Sequence, residues 1–98
     1  MISRHWGALV KRELAPDYIR HLRAETLPRL RAIDGFVDAT IQRRDLPDGV
    51  EFVVITHWRS LDAIRAFAGA DAEVAVVPPD AQAMMLSFDA RVRHYEVV

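Results

Sequence analysis

The sequence predicts an α+β fold with one four-stranded antiparallel sheet, on three observations. Strand-like and helix-like runs follow one another in the order β-α-β-β-α-β. The two middle strands are separated by a proline–aspartate–glycine turn. Apolar residues occupy both parities of the strands, although the helices can cover only one face. This order is the split β-α-β, ferredoxin-like arrangement. Right-handed crossovers place both main helices on one side and give the spatial strand order 4-1-3-2. The 98 residues suffice for a single domain spanning 1–98.

Residues 2–10 form a short apolar-rich run closed by Lys11-Arg12-Glu13, and read as the first strand. A helix is expected from Pro16 to Ile33, because Ala15, Ile19, Leu22, Thr26, Leu30 and Ile33 recur at steps of three and four. Pro16 suits its first turn. Pro28 crowds the carbonyl of Ala24 and predicts a kink. Asp34-Gly35 ends the helix, the glycine serving as a left-handed cap. Residues 36–45 and 50–59 read as two strands joined by Leu46-Pro47-Asp48-Gly49, where proline presets the turn and glycine accepts a positive φ. The near-continuous apolar run from Glu51 to Trp58 predicts a central strand buried on both faces.

Ser60 caps a second helix, Leu61 to Ala68, closed by Gly69. Residues 70–78 remain ambiguous: their valines favour a strand and Pro78-Pro79 stops it. A short helix from Asp80 to Leu86 and a last strand from Ser87 to Val98 complete the chain. Val53 and Ile55 point away from the side occupied by Phe52, Val54 and Trp58. An apolar sheet face left bare by the helices marks an interaction surface, so a homodimer packed sheet against sheet is expected.

Composition narrows the partners. The formal net charge is −1 and Lys11 is the only lysine, so no basic footprint for nucleic acid exists. No apolar run approaches the ~20 residues of a membrane span, and Arg4-His5 interrupts the first segment, which argues against a signal peptide. Cysteine is absent, which excludes thiolate chemistry and cysteine metal sites. A cytoplasmic location without membrane contact is expected.

Several side chains invite a chemical role. Trp58 ends a strand beside a helix N-terminus, where its ring can wall a pocket for a flat ligand or seal the core. Trp6 and Phe67 can add further aromatic walls or simply pack. His5, His57 and His94 fall on neighbouring strands and would meet if they shared a face. Their spacing matches no metal motif, so no metal is assigned. His21 sits among arginines and reads as solvated. Arg91, with Arg93, Asp89 and Glu96 nearby, is either an ion-pairing residue or an anchor for a substrate carboxylate.

Three phrases carry a resemblance. Ile33-Asp34-Gly35-Phe36, Thr56-His57-Trp58-Arg59-Ser60-Leu61-Asp62-Ala63 and Phe88-Asp89-Ala90-Arg91-Val92-Arg93-His94-Tyr95-Glu96 resemble, in turn, a helix-to-strand junction, a strand-to-helix turn and a closing strand of the antibiotic biosynthesis monooxygenase superfamily. The resemblance covers almost the whole chain and implies a dimeric α/β barrel. It also implies either a cofactor-independent monooxygenase acting on an aromatic or quinol-like molecule, or a non-catalytic dimer binding a small hydrophobic ligand. His5 would be the base that deprotonates the substrate, with Trp58 beside it. Trp6, Phe67, His57, His94 and Arg91 would contact the ligand. Haem degradation fits less well, since the family's haem-ligating histidine would fall near Gly69 and residues 66–80 contain none.

Overall fold

In the computed structural model, which describes residues 1–98, β1 (Ile2–Val10) and β3 (Gly49–Trp58) lie side by side in the middle of an antiparallel sheet. β2 (Phe36–Leu46) flanks β3. Two short strands, β4 (Met85–Phe88) and β5 (Arg93–Glu96), flank opposite ends of β1. The expected order 4-1-3-2 is present, with its fourth place shared by two strands.

The single last strand expected from Ser87 to Val98 is thus broken, for a local reason. At Asp89 the backbone still donates to the Gly7 carbonyl (3.0 Å), while the Asp89 carboxylate accepts the Gly7 N–H at 3.1 Å. The chain then leaves β1 and pairs with residues 73–75: Ala75 N–H donates to Ala90 (3.0 Å), and Val92 N–H donates to Glu73 (2.8 Å). Val74 and Arg91 form an isolated bridge there, which resolves the ambiguity of residues 70–78 as a largely irregular strap. The short helix is also smaller than expected, Pro79–Gln82, because β4 begins at Met85.

The first helical stretch changes its hydrogen-bonding pattern along its length. A 3-10 turn (Arg12–Leu14) leads into α1 (Ala15–His21), a wide π turn (Leu22–Thr26) and α2 (Leu27–Arg31). The wide turn lies immediately before Pro28, where a kink is expected from sequence. Leu27 N–H reaches back to the Leu22 carbonyl, and Pro28, which has no N–H to donate, follows at the start of α2. The buried face is centred on Tyr18, 2% exposed, and includes His21. Ile19, placed in the buried stripe from sequence, is half-buried. α3 (Leu61–Ala68) is capped as expected: the Ser60 hydroxyl accepts the Ala63 N–H at 3.1 Å. α4 is Pro79–Gln82.

β3 alternates where the sequence suggested burial on both faces. Val50, Phe52, Val54, Thr56 and Trp58 are buried beneath the helices, and Glu51, Val53, Ile55 and His57 are half-buried on the open face. The hairpin places Leu46 opposite Gly49. The positive φ expected of Gly49 is absent, since only Gly35 and Gly69 adopt it. Gly49 is required for space: a Cβ there would stand 2.6 Å from the Val10 carbonyl oxygen.

The core divides into two clusters. One gathers Val10, Tyr18, Val50, Phe52 and Met85 between α1 and the sheet. The other gathers Leu30, Trp58, Ala63, Ile64 and Ala72 under α3. Gly35 links the helical layer to the second cluster. Its φ is +95°, and an added Cβ would lie 2.6 Å from the Ala63 Cβ. Gly35→Ala is expected to cost about 1–3 kcal/mol of stability. Part of that cost is steric, so a double-mutant cycle with Ala63→Gly should show favourable coupling of about 0.5–3 kcal/mol. Urea denaturation measures both quantities, and strict additivity would mean the contact carries no strain.

Candidate functional site

A cavity opens between the two core clusters, where the apolar filling is interrupted. Its inner chamber has a volume of about 60 Å³. It joins an outer vestibule of about 150 Å³. The floor is the helix-facing side of β1 and β3, with Arg4, Trp6, Val54 and Thr56. The strap residues Val76, Val77 and Pro78 form one wall. His21, Thr26 and Phe67 lie at the join and line both chambers, while Glu25 and Arg29 edge the vestibule.

Strand parity decides which candidate residues reach this space. Ile2, Arg4, Trp6, Ala8 and Val10 pair with Trp58, Thr56, Val54, Phe52 and Val50 on the helix side. Ser3, His5, Gly7 and Leu9 pair with His57, Ile55, Val53 and Glu51 on the open side. His5 is therefore separated from the cavity by the sheet itself, and the catalytic pairing of His5 with Trp58 expected from sequence does not form within the subunit. His5 meets Ser3 Oγ through Nε2 at 2.8 Å and packs edge-on against Tyr95 at 5.0 Å. His57 shares that open face and bonds Asp38 through Nδ1 at 2.6 Å. His94 lies opposite Arg4 on the helix side, so the three strand histidines do not converge.

Of the expected aromatic walls, Trp6 and Phe67 line the cavity. The Trp6 indole donates to the Asp89 carbonyl at 2.8 Å, which fixes its ring. Trp58 stands one layer behind. It is fully buried, donates to Thr56 Oγ1 at 2.8 Å, and stacks on Phe67 with centroids 6.1 Å apart. It thus orients two lining residues while remaining outside the cavity lining. Arg91 is also displaced from its expected ligand contact. It is exposed and holds Asp71 in a bidentate pair at 3.1 and 3.2 Å, with Glu73 at 3.7 Å.

Three polar residues that sequence reasoning did not select occupy the cavity. His21, 8% exposed, stacks against Tyr18 with ring planes 16° apart. Its Nδ1 lies 3.2 Å from Glu25 and 3.7 Å from Asp80. These three side chains bring their donor atoms within 4.8 Å of one another, the grouping best suited to a cation. Tyr18 lines the inner chamber, and burial raises the pKa of its phenol, so it remains a hydroxyl at neutral pH. Arg4, 4% exposed, donates through Nη1 to the Ala72 carbonyl and meets His94 Nε2 at 2.9 Å, and it donates through Nη2 to Val74 at 2.9 Å. Burial alone lowers its pKa to about 10. The guanidinium remains charged, and its partners are neutral.

The sequence model of the family described as antibiotic biosynthesis monooxygenase matches residues 8–79. Solved structures share the fold. A candidate antibiotic biosynthesis monooxygenase from Caulobacter crescentus superposes with a TM-score of 0.74 at 16% identity, covering 99% of this chain and 89% of that one. A point mutant of MhuD, with two manganese protoporphyrin IX bound per active site, gives 0.67 at 19% identity, covering 100% and 95%. A monooxygenase from the gene ActVA-Orf6 of Streptomyces coelicolor, in complex with the ligand nanaomycin D, gives 0.58 at 17%, covering 96% and 82%. No curated protein matches.

Two histidines give the fold a pH dependence. Burial, then the Arg4 charge, hold His94 below its usual 6.5, with Glu73 opposing. Burial, then Arg93 and His57, lower His5 from 6.5. Both bind a proton more readily in the unfolded chain, so their contribution is complete above pH 6.5 and is lost as pH falls below it. The urea midpoint is expected to decline from about pH 7.5 to about pH 5, and His94→Gln should flatten part of that decline. A midpoint that climbs across this window would contradict the assignment.

Proposed function

The chain belongs to the antibiotic biosynthesis monooxygenase family, and from this we propose that it is a cofactor-independent monooxygenase whose substrate is a small phenolic or quinol-like aromatic. The observation that carries the reading is His21, a buried imidazole lining an otherwise largely apolar cavity, with the Glu25 and Asp80 carboxylates 3.2 and 3.7 Å from its Nδ1. Nδ1 is the ring nitrogen on the carboxylate side; in the tautomer that carries its proton there, the Nε2 lone pair is free to accept a proton from a substrate hydroxyl. The two acids then stabilise the imidazolium, as the third member of a nucleophile–base–acid set does. His21 takes the place assigned to His5 in the sequence reading.

The chemistry balances without a cofactor. His21 removes the phenol proton, and the electron-rich anion passes one electron to dioxygen. The resulting radical pair joins at a ring carbon to give a peroxide. Loss of the ring hydrogen with cleavage of the O–O bond leaves a quinone and water. One oxygen atom enters the ring, the other becomes water, and the electrons come from the substrate. Trp6 and Phe67 hold the ring, and the dry walls limit competing proton transfer. Two relatives of the same fold were solved with small ligands, nanaomycin D and manganese protoporphyrin IX, in agreement with a ligand-holding role.

Oxygen uptake with a hydroxynaphthalene tests the assignment. His21→Ala should lower kcat by about 10²–10⁴-fold and leave ligand binding nearly unchanged. Unaltered turnover would remove His21 from the mechanism. Binding without any oxygen uptake in the wild type would instead favour the non-catalytic ligand-binding reading.

The open sheet face, carrying Val53, Ile55 and the half-exposed Tyr95, is proposed to pair with its copy in a homodimer. Light scattering is expected to give twice the 11.1 kDa chain mass, and Ile55→Glu should shift the particle toward a single chain. A monomeric wild type at micromolar concentration would reject it.

A further inference from the structure

The inner chamber ends on a buried cation with no counter-charge. A guanidinium carries five N–H donors. At Arg4 three are engaged, by the Ala72 and Val74 carbonyls and by His94. Nε–H and one N–H of Nη2 are left, donors on neighbouring nitrogens of the kind that a carboxylate takes in two parallel bonds. Burial of a charge without a partner is costly. The acids nearest in sequence to the strap cannot supply that partner, because Arg91 holds Asp71 and also faces Glu73. His94 meets the guanidinium through Nε2 and therefore accepts there as the neutral ring. The Phe67 ring faces the guanidinium at 5.8 Å, which stabilises the cation but leaves its charge uncompensated.

We propose that Arg4 is the anion-binding residue of the cavity and that the substrate is a hydroxylated aromatic carboxylic acid, held with its carboxylate on Arg4 and its hydroxyl toward His21. This rests on reading the cavity as an aromatic site. Placement supports the orientation: Arg4 lines only the inner chamber, whereas His21 lines both. A carboxylate on Arg4 and a phenol at the join set the polarity of the molecule accepted. They reject an aromatic with a neutral group at the inner end, because it would leave the guanidinium unpaired.

The test compares 2-naphthoate with neutral 2-naphthalenemethanol by isothermal titration, on wild type, Arg4→Lys and Arg4→Met. The wild type should prefer the anion by about tenfold or more. Arg4→Met should erase the preference, read as the ratio of the two affinities rather than as either one alone. Arg4→Lys should retain part of it, since a point charge lacks the fork. Stabilisation of the strap alone would alter both affinities together and leave their ratio unchanged. Equal affinities in the wild type, or a preference surviving in Arg4→Met, overturn the proposal and leave the aromatic site standing. If neither compound binds the wild type, both readings fall. Should Arg4→Met not fold, the wild-type ratio and its change in Arg4→Lys decide.

Discussion

The antiparallel ladder between β1 and β3 runs from Ile2 opposite Trp58 to Val10 opposite Val50, and the molecule's chemistry is distributed by its pleat. Side chains alternate across a sheet with a period of two. A one-residue slip would exchange Arg4, Trp6 and Thr56 for Ser3, His5 and His57 beneath the helices. The register is pinned at both ends. Trp58 fills the space under α3 and hydrogen-bonds Thr56. At the other end Gly49 lets its strand approach the Val10 carbonyl where any larger residue would collide. The identity of the residues facing the cavity follows from these packing requirements.

The cavity exists because the core is not continuous. Between the Phe52–Tyr18 cluster and the Trp58–Ile64 cluster, β1 offers Arg4 and β3 offers Thr56 in place of aliphatic side chains. Replacing buried ionic groups by apolar residues is often neutral or stabilising, so a buried guanidinium is not explained by stability. Part of its desolvation cost is offset by two strap carbonyls, by His94 and by the Phe67 face. The same bonds hold the strap over the sheet. Residues 76–78 follow directly from the bonded carbonyls and form the cavity wall, so the charge that can bind a ligand also shapes the space around it.

Much of the fold was legible because its punctuation is local. Ser60, Gly35, Gly69 and the Pro47-Asp48 turn each announce an element boundary within a few residues. The site was less legible. His5 attracted a catalytic role by its chemistry, while its side of the sheet depends on parity; stepping in twos from the buried Ala8 and Val10 would have placed Trp6 and Arg4 inward and His5 outward. His21 was read as solvated among Arg20 and Arg23, although Tyr18, three residues earlier, marks the buried face. Arg4 left almost no local trace. Its partners lie 68 to 90 residues away, on a strap whose path no periodicity describes. The break in the last strand was equally hidden, since it depends on the Asp89 carboxylate bonding to Gly7 across the sheet.

Under the proposed mechanism, Arg4 and His21 divide the work in a way that follows from where charge changes. A carboxylate on Arg4 keeps its charge from substrate to product, so that contact stabilises ground and transition states alike and sets affinity. The hydroxyl at His21 loses its proton, and the imidazole gains charge beside Glu25 and Asp80, so that contact strengthens as the reaction proceeds and sets the rate. The two roles require different surroundings, and the fold supplies them. Arg4 is 4% exposed and lines only the inner chamber, where burial strengthens a permanent ion pair. His21 sits where the chamber meets the vestibule, with the Glu25 and Asp80 carboxylates near its Nδ1 to balance a transient imidazolium. A permanent charge is thus bound in the dry interior, and a changing one is handled at its edge.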